Sequence, residues 1–224
     1  MLHGKLVSLR AVEKEDYEQI KEWLTEPDLL YLLGARLLPM SSIDPDKLPE
    51  LFRMRDGRVQ SIVTRDRGLV GLAVVGNFHE FNRTAQIMIL IGDRSEWNRG
   101  YGSDAIRGVV KFAFDELNLN CVEAIIPEFN QRAQRVFEKV GFTVEGRLRS
   151  RFFGRGQFRD IIVVSAVREG WNGERVGGAR VPAETTAAPP IEPAAGSAST
   201  VYPSNPIAVV TGAIPIGAST EGSI

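Results

Sequence analysis

The glycines of Trp97-Asn98-Arg99-Gly100-Tyr101-Gly102 stand directly ahead of an amphipathic segment, and that arrangement suits the binding of phosphate. Glycine lets the chain turn its N–H groups toward an anion, and the positive end of a following helix adds to the attraction. The donors would be the N–H groups from Arg99 to Ser103, with the Arg99 guanidinium supplying charge. Two other readings use the same residues. Gly100-x-Gly102-x-x-Ala105 with Glu123 further on has the form of a dinucleotide fingerprint, and a plain strand-to-helix turn also needs glycine. Against the fingerprint, Glu123 falls near the start of its strand, and the turn lies in mid-chain rather than in an opening βαβ unit.

About thirty residues on, Asn130 begins a second helical run that closes with Phe137-Glu138-Lys139-Val140-Gly141-Phe142. Asparagine there caps a helix by accepting a hydrogen bond from an N–H of the first turn. A strand, a glycine turn, a helix, a strand and then N-x-x-A-x-x-x-x-E-K-x-G-F together resemble the acetyl-CoA-binding core of the GNAT acetyltransferases. The resemblance is to the branch holding ribosomal-protein N-terminal and spermidine acetyltransferases. It runs from about Gly4-Lys5-Leu6-Val7-Ser8-Leu9-Arg10 to Glu169-Gly170-Trp171.

That likeness implies an α/β fold with a mixed, mostly antiparallel sheet, a central parallel crossover and flanking helices. It also implies acetyl-CoA as co-substrate, with its diphosphate on the glycine turn and its pantetheine arm against Asn130. Trp97, Arg99, Gly100, Tyr101, Gly102, Ser103, Phe137 and Lys139 are the further cofactor-side positions carried over. Amides near Ile89, Leu90 and Ile91 would hold the thioester carbonyl as charge develops on it. The implied reaction is direct attack of an amine on that thioester.

An amine with a pKa near 10.4 is only about 0.04% neutral at pH 7, a deficit of roughly 4.6 kcal/mol, so a proton acceptor matters. The chain departs from the family pattern here. Gln86 stands where a glutamate is frequent, and an amide is no base at neutral pH. Phe137 replaces the tyrosine that often protonates the departing thiolate, although a thiolate with a pKa near 8.5 leaves tolerably alone. Candidate substitutes are Glu128, Glu96 and His79-Glu80, each also readable as a solvated surface group. A low-pKa acceptor, such as a protein N-terminus near 7.7, would relax the need. A rival reading is a non-catalytic acyl-CoA-binding module that lost its proton-transfer groups.

These residues have to be positioned by recognisable elements. Leu6 to Ala11 alternates as a strand, and Glu13 to Leu24 sets Tyr17, Ile20, Trp23 and Leu24 at helical spacing until Pro27 breaks the pattern. Leu29 to Met40 is apolar without a pattern, and a helix is expected near Asp46 to Met54. The stretch from Leu29 to Asp44 and the Phe152 to Phe158 hairpin are the expected acceptor-side walls. Gln60–Arg65 and Leu69–Asn77 read as a hairpin about Asp66-Arg67-Gly68. Thr84 to Gly92 is apolar on both faces, as a central strand should be. Ile106, Val109, Val110, Ala113 and Leu117 form the stripe of a helix laid on a sheet, and Cys121 to Ile126 follows as a parallel strand. Phe142–Phe152 and Gln157–Val167 close the domain around Gly154-Arg155-Gly156. Asp160, on an apolar strand, calls for a partner such as Arg10 or Arg149.

Composition limits the alternatives. The chain has 224 residues, and its first 171 carry 25 Lys+Arg against 24 Asp+Glu, without the basic excess that nucleic-acid binding needs. His3, His79 and the single Cys121 offer no metal spacing, and one cysteine allows no internal disulfide. No basic-then-apolar leader or membrane-length apolar run is seen, so a cytoplasmic protein without membrane partners is expected. The resemblance, through some of its members, implies a homodimer paired across the closing strands. From Asn172 the chain is rich in Gly, Pro, Ala, Ser and Thr, with Tyr202 its sole aromatic residue, and reads as a disordered tail on a 1–171 domain.

Overall fold

The computed structural model describes residues 1–34 and 54–174. The helix expected near Asp46 to Met54, much of the Leu29 to Asp44 wall and nearly all of the expected tail lie outside them.

Among the described residues eight strands form one sheet: β1 (Leu2–His3), β2 (Ser8–Ala11), β3 (Arg58–Thr64), β4 (Gly68–His79), β5 (Thr84–Ile91), β6 (Cys121–Pro127), β7 (Thr143–Gly154) and β8 (Gln157–Val167). Their order is β1-β2-β3-β4-β5-β6-β8-β7, and only β5 and β6 run parallel. The two hairpins arise where the sequence places their turns. Gly68 has φ +68°, and the Thr64 hydroxyl accepts from Arg67 N–H at 3.1 Å. Arg155 and Gly156 both have positive φ, as the tight turn between β7 and β8 requires.

Helices cover both faces of the sheet. α3 (Tyr101–Asp115) makes the crossover from β5 to β6 and buries Ala105, Ile106, Val109, Val110 and Ala113, while α4 (Gln131–Lys139) lies on the same side. On the other face, α1 (Tyr17–Thr25) and α2 (Pro27–Leu32) bring Ile20, Trp23, Leu24, Leu29 and Leu30 onto Leu72 and Leu90. Leu117, expected in the α3 stripe, falls just beyond the helix. Pro27 ends α1 as expected but also opens α2, because a first helical position needs no N–H and favours the fixed proline φ.

Three buried or shielded carboxylates tie elements together. Asp104, in the first turn of α3, accepts from Leu6 N–H at 2.7 Å and Val7 N–H at 3.0 Å. Asp16 receives Arg10, the Ser61 hydroxyl and Glu13 N–H. Asp160 pairs with Arg147 rather than with Arg10 or Arg149. The reason is a break in register between Leu148 and Phe152: Ser150 adopts φ +52° and turns its N–H onto Asp160 Oδ1 at 2.8 Å, bringing Arg147 alongside. The Ser150 N–H and then Arg147 hold this carboxyl below its usual range.

Candidate active site

The two parallel strands pair over three rungs only: Thr84 with Cys121, Ala85 with Val122 and Gln86 with Glu123. Beyond that rung each strand keeps its outer neighbour, β5 against β4 and β6 against β8, but they no longer pair with each other. The result is a wedge in the middle of the sheet. Its walls are backbone, and strand parity decides which groups line it.

Gly92 N–H donates to Val70 O at 3.0 Å. Alternate residues in an antiparallel pair face the partner strand, so Leu90, Met88 and Gln86 also turn their backbone groups to β4. Ile87, Ile89 and Ile91 turn theirs toward β6. Of the three amides expected to hold a carbonyl, Ile89 and Ile91 therefore face the wedge. Leu90 does not: its N–H points to β4 and its side chain is buried with α1 and α2. On the opposite wall, Glu128 N–H donates to Asp160 O at 3.0 Å, which by the same parity turns the backbone of Cys121, Glu123 and Ile125 toward β5.

The glycine turn closes one end of the wedge. Gly100 has φ +89° and Asn98 φ +65°, and Gly100 is the residue before α3. The first N–H groups of α3 have no acceptor within the helix, so those of Tyr101, Gly102 and Ser103 remain available to an anion. Tyr101 packs on the core, Ser103 is buried, and Gly102 sits between β5 and α4, with a built Cβ 3.8 Å from Ile91 and 3.9 Å from Val136.

Trp97 joins three elements. Its Nε1–H donates to Ile91 O at 2.8 Å, Arg132 of α4 stacks over the ring at 4.1 Å, and Arg94 lies 5.6 Å away. Arg99 is half exposed, with Nε 3.3 Å from Glu96 Oε2, and Arg67 from the β3–β4 turn bonds Glu96 Oε1 at 2.9 Å. Glu96 is only 6% exposed and is thus a buried counter-ion holding two arginines beside the turn. Sequence reasoning misses both Arg132 and Arg67. The basic residue two places after a helix-capping asparagine is the available signal for the first; the second depends on a hairpin reaching across the sheet.

Asn130 caps α4 through Oδ1, which accepts from Ala133 N–H at 3.1 Å, and its Nδ2 donates to Leu32 O at 2.9 Å. One side chain thereby fixes the start of α4 and the end of α2. Phe137 is buried edge-on against Phe142, with centroids 4.9 Å apart, and has no hydroxyl to give a proton. Lys139 is exposed in the last turn of α4, about 13 Å along the helix from Asn130.

The expected bases are engaged elsewhere. Gln86 Oε1 accepts from Asn77 at 2.8 Å. Glu128 is ion-paired to Arg147 and, with Gln134 and Ile162, lines a cavity of about 500 Å³. Phe129, which stacks on Tyr31, lines the same cavity. Glu96 serves the arginines, and His79 and Glu80 are exposed at the far end of β4.

On the α2 side, Tyr31 stacks on Phe129 at 4.3 Å, Phe152 lies within 6 Å of both rings, and Arg155 covers Tyr31. Asp28 is paired with both Arg94 and Arg155. The end of α2 and the β7–β8 hairpin, both expected as walls, therefore meet at the mouth of the wedge.

A wedge between parallel strands, anion donors at the head of a crossover helix and an asparagine-capped helix beside them define an acyl-CoA-dependent transferase. The acetyltransferase (GNAT) domain model matches residues 7–143. The chain belongs to this family, and its reaction is transfer of an acetyl group to an amine. It is 31% identical over 110 residues to a putative ribosomal N-acetyltransferase of Bacillus subtilis, a match spanning 49% of this chain and 60% of that protein. It is 29% identical over 166 residues to a spermidine N(1)-acetyltransferase of Escherichia coli, covering 70% and 83% respectively. The crystal structure of spermidine N-acetyltransferase from Vibrio cholerae with CoA and spermine shares the fold, with a TM-score of 0.63 at 22% identity, over 72% of this chain and 95% of that one.

Proposed function

We propose that this enzyme takes its acetyl group from acetyl-CoA and delivers it to a primary amine of low pKa, a small molecule or a protein N-terminus, in the cytoplasm. The observation that carries the reading is the wedge, with N–H groups of Ile89 and Ile91 turned into it and the unpaired amides of α3 at its end. Those donors fit a thioester carbonyl and a diphosphate, and Arg99 and Arg132 supply cationic partners for the latter. When bound, acetyl-CoA supplies an acyl carbon open to nucleophilic attack. The protein's part is to hold that carbonyl at Ile89 and Ile91, to guide the amine along Tyr31, Phe129 and Phe152, and to shed its proton.

Gln86, whose amide takes no proton and already binds Asn77, leaves the site without the family's usual carboxylate, and an acceptor of low pKa asks least of the group that replaces it. Asp28, beside the described part of the acceptor wall, is claimed by two arginines. Relatives named for ribosomal and spermidine acetylation support an amine acceptor. The test is thiol release from acetyl-CoA against polyamines, amino acids, amino sugars and N-terminal peptides at several pH values. A lysine-like amine should be acetylated faster as pH rises from 6 to 9. A flat profile over that range removes the low-pKa preference, and silence from every amine removes the transferase reading.

A further inference from the structure

Glu123 lies opposite Gln86 on the last rung before the strands part. Its neighbours Val122 and Ala124 point into the α3/α4 core, so Glu123 points to the other face. Gln86 shares that face with Leu90, which packs under α1 and α2, the side on which the aromatic wall stands. Glu123 is half-buried, and no hydrogen bond or ion pair to a described residue holds its carboxylate. That separates it from Glu96 and Glu128, whose charges are met by arginines. Around it stand Asn77 and Gln86 on one side and Ser165, bonded to Glu145, on the other, giving a polar row across an otherwise apolar face. Ile125, the next residue on that face toward the mouth, is 45% exposed.

We propose that Glu123 accepts the proton of the attacking amine through water, in place of the carboxylate that Gln86 lacks. This rests on the reading above, in which the carbonyl is held at Ile89. From the Gln86–Glu123 rung to Ile89 is three residues, or about 10 Å of strand, so the side chain covers part of the way and ordered water the remainder. The ammonium loses one proton along that path to the carboxylate; the neutral amine forms the C–N bond and the C–S bond breaks. The second nitrogen proton leaves with the thiolate as free thiol, and Glu123 returns its proton to solvent. Gln86, fixed by Asn77, positions the path rather than receiving the proton.

The experiment compares Glu123→Gln with Glu128→Gln and wild type, using one amine of pKa near 10.4 and one near 7.7. Glu123→Gln should lower kcat about 100-fold for the first amine and less than about threefold for the second, with coenzyme A affinity unchanged by calorimetry. Glu128→Gln should stay near wild type, and Glu123→Asp should recover part of the lost rate. A readout without turnover comes from Cys121, whose thiol is pushed up by burial and also by the charges of Glu123 and Glu145. Its alkylation at fixed pH should quicken in Glu123→Gln. Equal rates in wild type and Glu123→Gln, equal loss for both amines, or unchanged alkylation would each overturn the assignment while leaving the transferase reading intact. A wild-type enzyme silent on every amine overturns both.

Discussion

Asp16 is 4% exposed, yet it carries a charge. Burial opposes that charge, but hydrogen bonds from Arg10, Glu13 N–H and Ser61 outweigh it and hold the carboxyl below its ordinary value of 3.8. A carboxyl that binds protons less readily folded than unfolded stabilises the fold fully above the unfolded value, and that stabilisation drains away as pH falls through the folded one. An asparagine in its place would leave the Arg10 guanidinium, 19% exposed, with only the exposed Glu13 carboxylate at 3.5 Å as counter-ion. Asp16→Asn should therefore cost roughly 3 kcal/mol near pH 7. The gap between wild type and variant should close on acidification below about pH 4. Urea melts at pH 7 and pH 3 measure both, and a gap independent of pH would show that the ion pair is not its source.

At the scale of elements, the glycine turn needs its glycine for backbone conformation at Gly100 and has room for a side chain at Gly102. Gly100 has φ +89°, and an added Cβ would lie 3.1 Å from Leu6 Cδ1; at Gly102 the nearest atoms are 3.8 Å and 3.9 Å away, ordinary contacts. Gly100→Ala should thus cost about 1–2 kcal/mol and weaken coenzyme A binding as the α3 amides swing out of place. Gly102→Ala should leave stability equal or better, since alanine favours a helix interior. Thermal melts with coenzyme A calorimetry decide, and equal effects at both positions would deny the turn its special backbone. These elements are legible because their signals are local: Asp66-Arg67-Gly68 and Gly154-Arg155-Gly156 mark hairpins, the Ile87–Ile91 run marks a central strand, and Asn130 marks a cap. What stays hidden depends on pairing between distant segments. The rung at which β5 and β6 part assigns Ile89 and Ile91 to the wedge and Leu90 to β4, and no periodicity encodes it. The bulge at Ser150 gives Asp160 to Arg147, and the stacking of Arg132 on Trp97 needs α4 already docked. The two-residue β1 is too short to leave a pattern.

For the whole molecule, the question is where the cooperative unit ends. Among the described residues both apolar cores draw their fully buried side chains from Val7 to Ala166, and after β8 Trp171 packs against the α3/α4 core from its edge. The segment that follows β8 acts as a latch. Trp171 meets Phe114 edge-on at 5.5 Å and donates to Val140 O at 2.9 Å, while Arg107 of α3 donates to Gly173 O at 2.7 Å. The latch thus joins α3 and the end of α4, the two helices beside the proposed coenzyme A site. It also carries the ordered contacts a few residues past Trp171, where the compositional boundary falls. Two truncations separate latch from tail. A chain ending at Glu174 should keep its Tm within about 2 °C and its kcat/KM within about twofold, because the residues removed bring little apolar surface to bury. A chain ending at Val167 loses the Trp171 contact, the bonds at Val140 and Gly173, and the bonds of Arg168 to Phe114, Leu119, Asn118 and Asn120, and should melt several degrees lower, on the order of 2 kcal/mol or more. Its coenzyme A affinity should fall too, since α3 and α4 are then free to shift. A Glu174 truncation as damaged as the Val167 one would give the tail a place in the fold and move the boundary of the domain beyond it.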